Sequence, residues 1–312
     1  MGESNEQGPR GVCVGKQDRL TRDEFDGLVA GRAAIARRLS MHEVVEMFRA
    51  DPKYARLVAA NYWDADTLAA AERFAVSPEF QEVFRRASEW WPATVLDVGA
   101  GTGIATYAFL ANGAKHAYAL EPDPSALLGR GAISRITEGM PCTVLDSTGE
   151  RIPLADGIVD VVYAREVLHH ASDLSLMLRE CARVLRQGGL LIVCREHVAD
   201  DEAQKREFLA GHSVHRYTGL ENAYTLEEYL ASIEGAGLTL KEVIGPYDSA
   251  INLYGGSSMT LDVDQLPAEI LKRKAGAAGH ALAKIPGAKS LVRISLRHRH
   301  APGRLYSFLA VK

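Results

Sequence analysis

Val95-Leu96-Asp97-Val98-Gly99-Ala100-Gly101-Thr102-Gly103 decides the fold of this 312-residue chain. A short apolar run ends in a Gly-rich turn and a helical pattern opens. About twenty residues later, Tyr118-Ala119-Leu120-Glu121 reads as a second strand ending on an acid. This order describes the nucleotide-binding half of a doubly wound α/β domain. Gly99 and Gly101 allow a tight turn and a close approach of backbone to ligand. Glu121, at the tip of the next strand, is expected to accept both hydroxyls of a ribose.

What the turn lacks selects the nucleotide. A dinucleotide fingerprint places a third glycine where this chain has Ile104, and sets a pyrophosphate over the helix N-terminus. Here the spacing is Gly99-x-Gly101-x-Gly103, and Asp97 stands two residues before the first glycine. A carboxylate there would repel a pyrophosphate but suits a ligand with an ammonium and a sulfonium. S-adenosylmethionine carries both, together with a ribose.

Four stretches then resemble, in order, the motifs of class I S-adenosylmethionine-dependent methyltransferases. They are Asp97-Val-Gly-Ala-Gly-Thr-Gly103, Glu121-Pro-Asp123, Asp160-Val-Val-Tyr-Ala-Arg-Glu-Val-Leu-His-His170 and Arg183-Val-Leu-Arg-Gln-Gly-Gly189. The resemblance covers residues 93–196 and implies a Rossmann-like, mostly parallel seven-stranded sheet. It also implies cofactor contacts from Asp97, Gly99, Ala100, Gly101, Gly103, Glu121, Pro122, Arg165 and Leu168. The family usually has an acid five residues before the Pro of a Leu-Pro-Phe turn. This chain has Ile152-Pro153-Leu154, with Asp146 seven residues upstream as the expected partner of the adenine amino group.

Apolar residues make up 47% of the chain and charged residues 24%, which fits a globular protein. No run of about 18 apolar residues occurs, so a membrane span is not expected. The first ten residues lack the apolar stretch of a signal peptide. Cys13, Cys142, Cys181 and Cys194 show no paired spacing and read as reduced residues of a cytoplasmic protein.

Five units are expected: a disordered tail (1–18), a helical cap (19–91), a cofactor-binding core (92–246) with a lid insertion (197–224), a helical basic insertion (247–304), and a last core strand (305–312). Helical patterns in the cap lie at 22–38, 41–50, 53–60, 64–75 and 79–90. In the core, strands are expected near 93–98, 116–121, 142–146, 158–164, 189–195, 238–244 and 305–311, and helices near 103–112, 124–131, 173–186 and 225–235. Both insertions leave from the carboxyl ends of strands, where such sheets bind ligands. With the cap they are expected to build the acceptor pocket.

Methyl transfer from a sulfonium is an in-line displacement that needs a base only when the acceptor must lose a proton. His170, His169 and His197 close the fourth and fifth strands and are the expected catalytic bases, the first two ranking above the third. Glu196, His215, Tyr224, Asn252 and Tyr254 are the expected substrate contacts. A metal site is not expected, because His197, Asp200, Asp201, His212 and His215 lack a compact ligand spacing. Residues 271–304 carry nine Lys or Arg and no acid, while the whole chain is net −4. An anionic or carrier-bound small molecule fits that asymmetry, whereas the lack of any known binding module argues against nucleic acid.

The expected function is methyl transfer from S-adenosylmethionine to an oxygen or nitrogen of a small molecule, of secondary-metabolite or sugar type. Two rivals remain. An intramolecular cyclase or lyase releasing methylthioadenosine could keep every cofactor motif. A non-catalytic cofactor-binding module would have the same fold.

Overall fold

A computed structural model describes residues 38–253, 263, 265–297 and 299–312. β1 (Thr94–Val98) lies at the centre of the sheet, buried on both faces as its Val/Leu content demands. It pairs in parallel with β2 (His116–Leu120) on one side and β4 (Val159–Arg165) on the other. β3 (Cys142–Leu145) extends the sheet beyond β2. On the other flank β5 (Leu185–Ala199) pairs in parallel with β4 and antiparallel with β8 (Arg304–Val311), and β7 (Thr239–Ile244) closes the edge. The order is β3-β2-β1-β4-β5-β8-β7, with a two-residue β6 (Tyr224–Thr225) pairing the far end of β5. The expected Rossmann-like sheet is therefore present, enlarged by one short strand.

Alternation along the strands builds two cores. Val95, Tyr163 and Ile192 face Phe74, Phe80 and Phe109 on helices 67–75, 78–87 and 104–111. Leu96, Val162 and Val193 face Leu178, Cys181 and Tyr229 on helices 174–184 and 226–235. Each fully buried side chain of this size contributes about 1.5–3 kcal/mol. Helix 174–184 starts where Asp173 accepts the Leu176 N–H at 2.9 Å. Helix 226–235 starts with a capping box between Thr225 and Glu228.

One helix is displaced from its expected place. The pattern predicted 124–131, but the helix runs Arg130–Ile136. Asp123 turns the chain first, accepting the Ser125 N–H at 2.8 Å, and its carbonyl accepts the Arg130 N–H at 2.8 Å. An Asp-Pro-Ser sequence thus spends its polar groups on a turn before the helix can start.

The cap and the first insertion share a core. Val44 and Phe48 of helix 41–50 pack with Tyr54, Val214 and Tyr217, and the Leu39 N–H donates to the Tyr217 carbonyl at 3.0 Å. The insertion itself forms helices at Glu202–Gly211 and His215–Thr218. The second insertion is helical at Leu266–Leu282 and Ala288–Arg297. The expected tail at 1–18, and all but the last residue of the expected helix at 22–38, lie outside the described residues.

β5 is the element that shapes the site. Its pairing with β8 slips between Val193 and Glu196, and Arg195 sits in the left-handed region at φ 63°. A bulge of this kind re-aims the side chains beyond it. Glu196 is turned inward under the loop that follows β4.

Candidate functional site

The glycine turn leaves β1 with Gly99, Gly101 and Gly103 all at positive φ (64°, 54° and 86°). A Cβ on Gly99 would fall 2.2 Å from Val167 Cγ2, whereas one on Gly101 would meet nothing nearer than the Leu128 carbonyl at 4.0 Å. The two glycines therefore serve different ends. Gly99 admits the β4 loop, and Gly101 leaves open space. Ala100 is buried between them and donates its N–H to the Leu120 carbonyl at 3.0 Å.

Glu121 lies just past β2 and binds that turn to its own loop. Its carboxylate accepts the Gly101 N–H at 2.8 Å and the Asp123 N–H at 2.9 Å, one on each oxygen. Each oxygen retains a second lone pair for a diol. Burial raises its pKa, and the two N–H donors oppose the rise. Asp97 is buried at the end of β1 and accepts the Thr106 hydroxyl at 2.6 Å. Burial pushes it up to about 7 despite that hydrogen bond.

Other expected cofactor contacts are bound to protein groups. Asp146, mostly exposed, pairs with Arg130 at 2.7 Å. Arg130 also donates to the Pro122 carbonyl at 2.6 Å, so Pro122 and Asp146 share one guanidinium. Leu168 is fully buried in a 3-10 turn over Leu168–His170. Arg165 lies in a buried charge cluster, with Glu79 at 2.6 Å and Glu166 at 3.0 Å. Arg195 joins the cluster, 2.7 Å from Glu166. Burial opposes the charge on Arg165, but Glu166 and Glu79 hold its pKa well above the usual value. The cluster fastens helix 78–87 of the cap to the ends of β4 and β5. Glu79 carries no sequence signal, because it precedes Arg165 by 86 residues.

The expected bases and Glu196 form one constellation. Glu196 is fully buried, and its oxygens accept the N–H groups of Val167, Leu168 and His169 at 3.0, 3.0 and 3.3 Å. They also take His169 Nδ1 at 2.8 Å and the Tyr229 hydroxyl at 3.3 Å. Glu196 was expected to touch substrate. The structure instead occupies its carboxylate with five donors of its own chain.

His169 is buried between two carboxylates, with Nε2 3.1 Å from Glu221. Burial alone would lower its pKa, but Glu196 and Glu221 outweigh it and push it up to about 10. His169, an expected base, thus has a carboxylate at each ring nitrogen, a setting that favours its charged form. His170 points outward, its side chain 41% exposed and Nδ1 3.6 Å from Glu221. Burial and the adjacent His169 charge lower its pKa. Burial likewise opposes ionisation of Glu221, but the His169 contact leads the groups that bring it down to about 2.

His197 is buried behind this pair, its ring 5.3 Å from His169 and 5.4 Å from His212, with Nδ1 3.3 Å from the Gly303 carbonyl. His215 is half-buried, with no hydrogen-bond partner for Nδ1. Tyr224 reaches the Ala171 carbonyl at 3.4 Å, and Asn222 donates to the same oxygen at 3.0 Å. Segment 221–224 is thus docked on the β4 loop. Asn252 is fully buried. It donates to the carbonyls of Ile244 and Gly245 and accepts the Ser307 hydroxyl, so its amide holds helix 250–253 to the sheet. Tyr254 lies outside the described residues. His169, His170 and Glu221 bring three ligand-type atoms within 4.8 Å of one another, a convergence that spacing along the chain did not indicate.

Residues 96–193 match the family model described as a methyltransferase domain. The chain is 34% identical over 157 residues to a demethylmenaquinone methyltransferase of Mycolicibacterium gilvum, covering 49% of this chain and 60% of that protein. It is 26% identical over 180 residues to a ubiquinone biosynthesis O-methyltransferase of Rhizobium etli, covering 55% and 70%. The matched regions span 38 to 60% of the first such relatives. A chain of the solved Haloferax volcanii complex containing the Trm112 methyltransferase activator superposes with a TM-score of 0.50 at 16% identity, over 82% of this chain and 96% of that one. That likeness speaks to the fold. The part of the chain that is similar to a methyltransferase domain, residues 96–193, is the part that carries the glycine turn, Asp97 and Glu121.

Proposed function

We propose that this protein transfers a methyl group from S-adenosylmethionine to an oxygen or nitrogen of a small molecule. The observation that carries the reading is the open glycine turn at Gly101, flanked by the Glu121 and Asp97 carboxylates at the end of the sheet. The bound cofactor supplies an electrophilic methyl group. Glu121 would take the ribose diol, and Asp97 in its ionised form would balance the ammonium. Asp146, at the sheet edge, would receive the adenine amino group after exchanging its bond to Arg130. Positioning and exclusion of water supply most of the acceleration in such a displacement.

The acceptor would enter between the cap and the first insertion, where His170 is the half-exposed histidine of the three at the strand ends. His215 and Tyr224 flank that entry. Relatives named for steps in quinone metabolism support a small-molecule acceptor. The basic segment 271–304 supports an anionic or carrier-bound one. The reduced cysteines Cys142, Cys181 and Cys194, together with the absence among the described residues of a helix long and apolar enough to cross a membrane, support a cytoplasmic setting.

The test is incubation with methyl-labelled S-adenosylmethionine, alone and with panels of phenols, sugars and amines. S-adenosylhomocysteine forming only with an acceptor is the expected result. Methylthioadenosine forming with no acceptor would transfer the reading to a cyclase or lyase. Cofactor binding without turnover of any panel would favour a binding module.

A further inference from the structure

Three side chains from two distant segments meet at the mouth of the proposed acceptor pocket. His169 and His170 come from the turn after β4, and Glu221 from the insertion after β5. Glu221 Oε2 lies 3.1 Å from His169 Nε2 and 3.6 Å from His170 Nδ1. Among the described residues this is the group of His, Cys, Asp and Glu whose donor atoms converge within 4.8 Å.

Glu221 Oε2 is buried, yet no donor is directed at it in hydrogen-bonding geometry. Two ring nitrogens stand beside it, His169 Nε2 as an ion-pair partner and His170 Nδ1 farther off. Nitrogen and oxygen ligands at 2.0–2.1 Å from a tetrahedral ion lie about 3.3 Å apart. The separations of 3.1 and 3.6 Å bracket that value.

The other face of His169 completes the pattern. Its Nδ1 meets the Glu196 carboxylate at 2.8 Å, and that carboxylate is itself held by three backbone N–H groups and the Tyr229 hydroxyl. A carboxylate on the second nitrogen fixes ring plane and tautomer and aims the first nitrogen at a metal. The exposed side of His170 leaves one flank of the group open toward solvent and acceptor. Three protein ligands with an open position are the arrangement of a catalytic rather than a structural site.

We propose that His169 Nε2, His170 Nδ1 and Glu221 Oε2 bind one divalent transition-metal ion, with Glu196 as the positioning residue behind His169. Two imidazoles and one carboxylate suit zinc or iron(II) rather than magnesium or calcium, which take oxygen ligands. Any proton on His169 Nε2 leaves to solvent when the ion binds. The open position would polarise an acceptor hydroxyl and assist loss of its proton. That use rests on the methyl-transfer reading, whereas occupancy of the site does not.

The experiment uses the full chain, stripped with chelator and titrated calorimetrically with Zn²⁺ and separately with Mg²⁺. Expected are one Zn²⁺ per chain, no comparable binding of Mg²⁺, and a loss of about 10–100-fold in Zn²⁺ affinity in Glu196→Gln, the usual scale for a group supporting a ligand. Glu221→Gln should lose at least as much. X-ray absorption at the zinc edge of the wild-type protein should show nitrogen and oxygen neighbours with imidazole scattering, and this reading does not depend on any variant folding. Failure of the wild type to take up Zn²⁺, a sulfur-bearing zinc shell, or wild-type affinity in a folded Glu221→Gln overturns the site. Measuring S-adenosylmethionine affinity on the same samples separates the two readings. Cofactor binding without zinc removes only the metal site, and zinc binding without cofactor removes only the transferase.

Discussion

The carboxylate of Glu196 and the imidazole of His169 are buried together, 2.8 Å apart, and the same carboxylate holds the backbone of the turn that carries His169. One acid therefore sets both the ring and the loop. In Glu196→Ala, three backbone N–H groups, the Tyr229 hydroxyl and a histidine nitrogen lose their acceptor. Unfolding free energy should fall by about 3–5 kcal/mol, the scale for breaking a buried pair. Tyr229→Phe should cost only about 1 kcal/mol. Urea titration of both variants is the check, and equal midpoints would refute the ranking.

Gly99 and Gly101 should fail in different ways. A Cβ at Gly99 collides with Val167, so Gly99→Ala should lower the melting temperature. At Gly101 there is space, and Gly101→Ala should pay only the roughly 1–2 kcal/mol of an alanine held at positive φ. Gly101→Val should remain folded and lose S-adenosylmethionine, because its side chain would fill the ligand's place. Normal cofactor affinity in Gly101→Val would mean that the turn does not face the ligand.

Asp97 sets a stability cost against binding. Its folded pKa of about 7 stands above the ordinary value of 3.8. The folded state therefore keeps a proton that the unfolded chain releases. The associated stability is complete below the ordinary value and is lost as pH rises toward about 7. At roughly 1.4 kcal/mol per pKa unit, Asp97→Asn should be a few kcal/mol more stable than wild type near pH 8. The gain should vanish near pH 4. Cofactor affinity should move the opposite way, falling in the variant and, in the wild type, rising between pH 6 and 7.5 as the carboxylate ionises. Melting curves and calorimetry across this range decide it.

Loss of Glu121 tests the ribose contact. Glu121→Ala should weaken S-adenosylmethionine by about 1–3 kcal/mol, the scale of charge-assisted hydrogen bonds. Unchanged affinity by calorimetry would remove the assignment.

Glu79 should matter although it lies on a cap helix and not on the cofactor turn. Its carboxylate meets Arg165 at 2.6 Å and is fully buried. Glu79→Ala leaves two buried guanidinium groups to share Glu166, so a loss of about 3–5 kcal/mol is expected. Hydrogen exchange in helix 78–87 should rise more than in β1. Uniform protection would show that packing alone holds the cap.

Local pattern was enough for the glycine turn, the parallel strands and helix 174–184, because each is set by residues a few positions apart. Leu174, Met177, Leu178 and Cys181 share a face by helical spacing, and all four are buried. The same logic misplaced helix 130–136, where Asp123 captured the backbone for a turn. It also had no access to β6, whose two residues are a strand only because the end of β5 offers them a partner.

The cofactor half of the site was legible because consecutive residues build it. The histidine half was not. His169, His170, His197 and Glu196 were recognisable as polar groups at strand ends, but their roles depend on what faces them. Glu196 turns inward because β5 bulges at Arg195, and His169 is enclosed between two carboxylates because Glu221 approaches it from an insertion more than fifty residues away in sequence. Sequence by itself determined the sheet and the nucleotide turn, which follow from short-range periodicity and backbone freedom. Only tertiary structure decided which histidine is enclosed, which is open, and where three ligand atoms meet, because burial and charge are fixed by neighbours that the chain supplies from a distance.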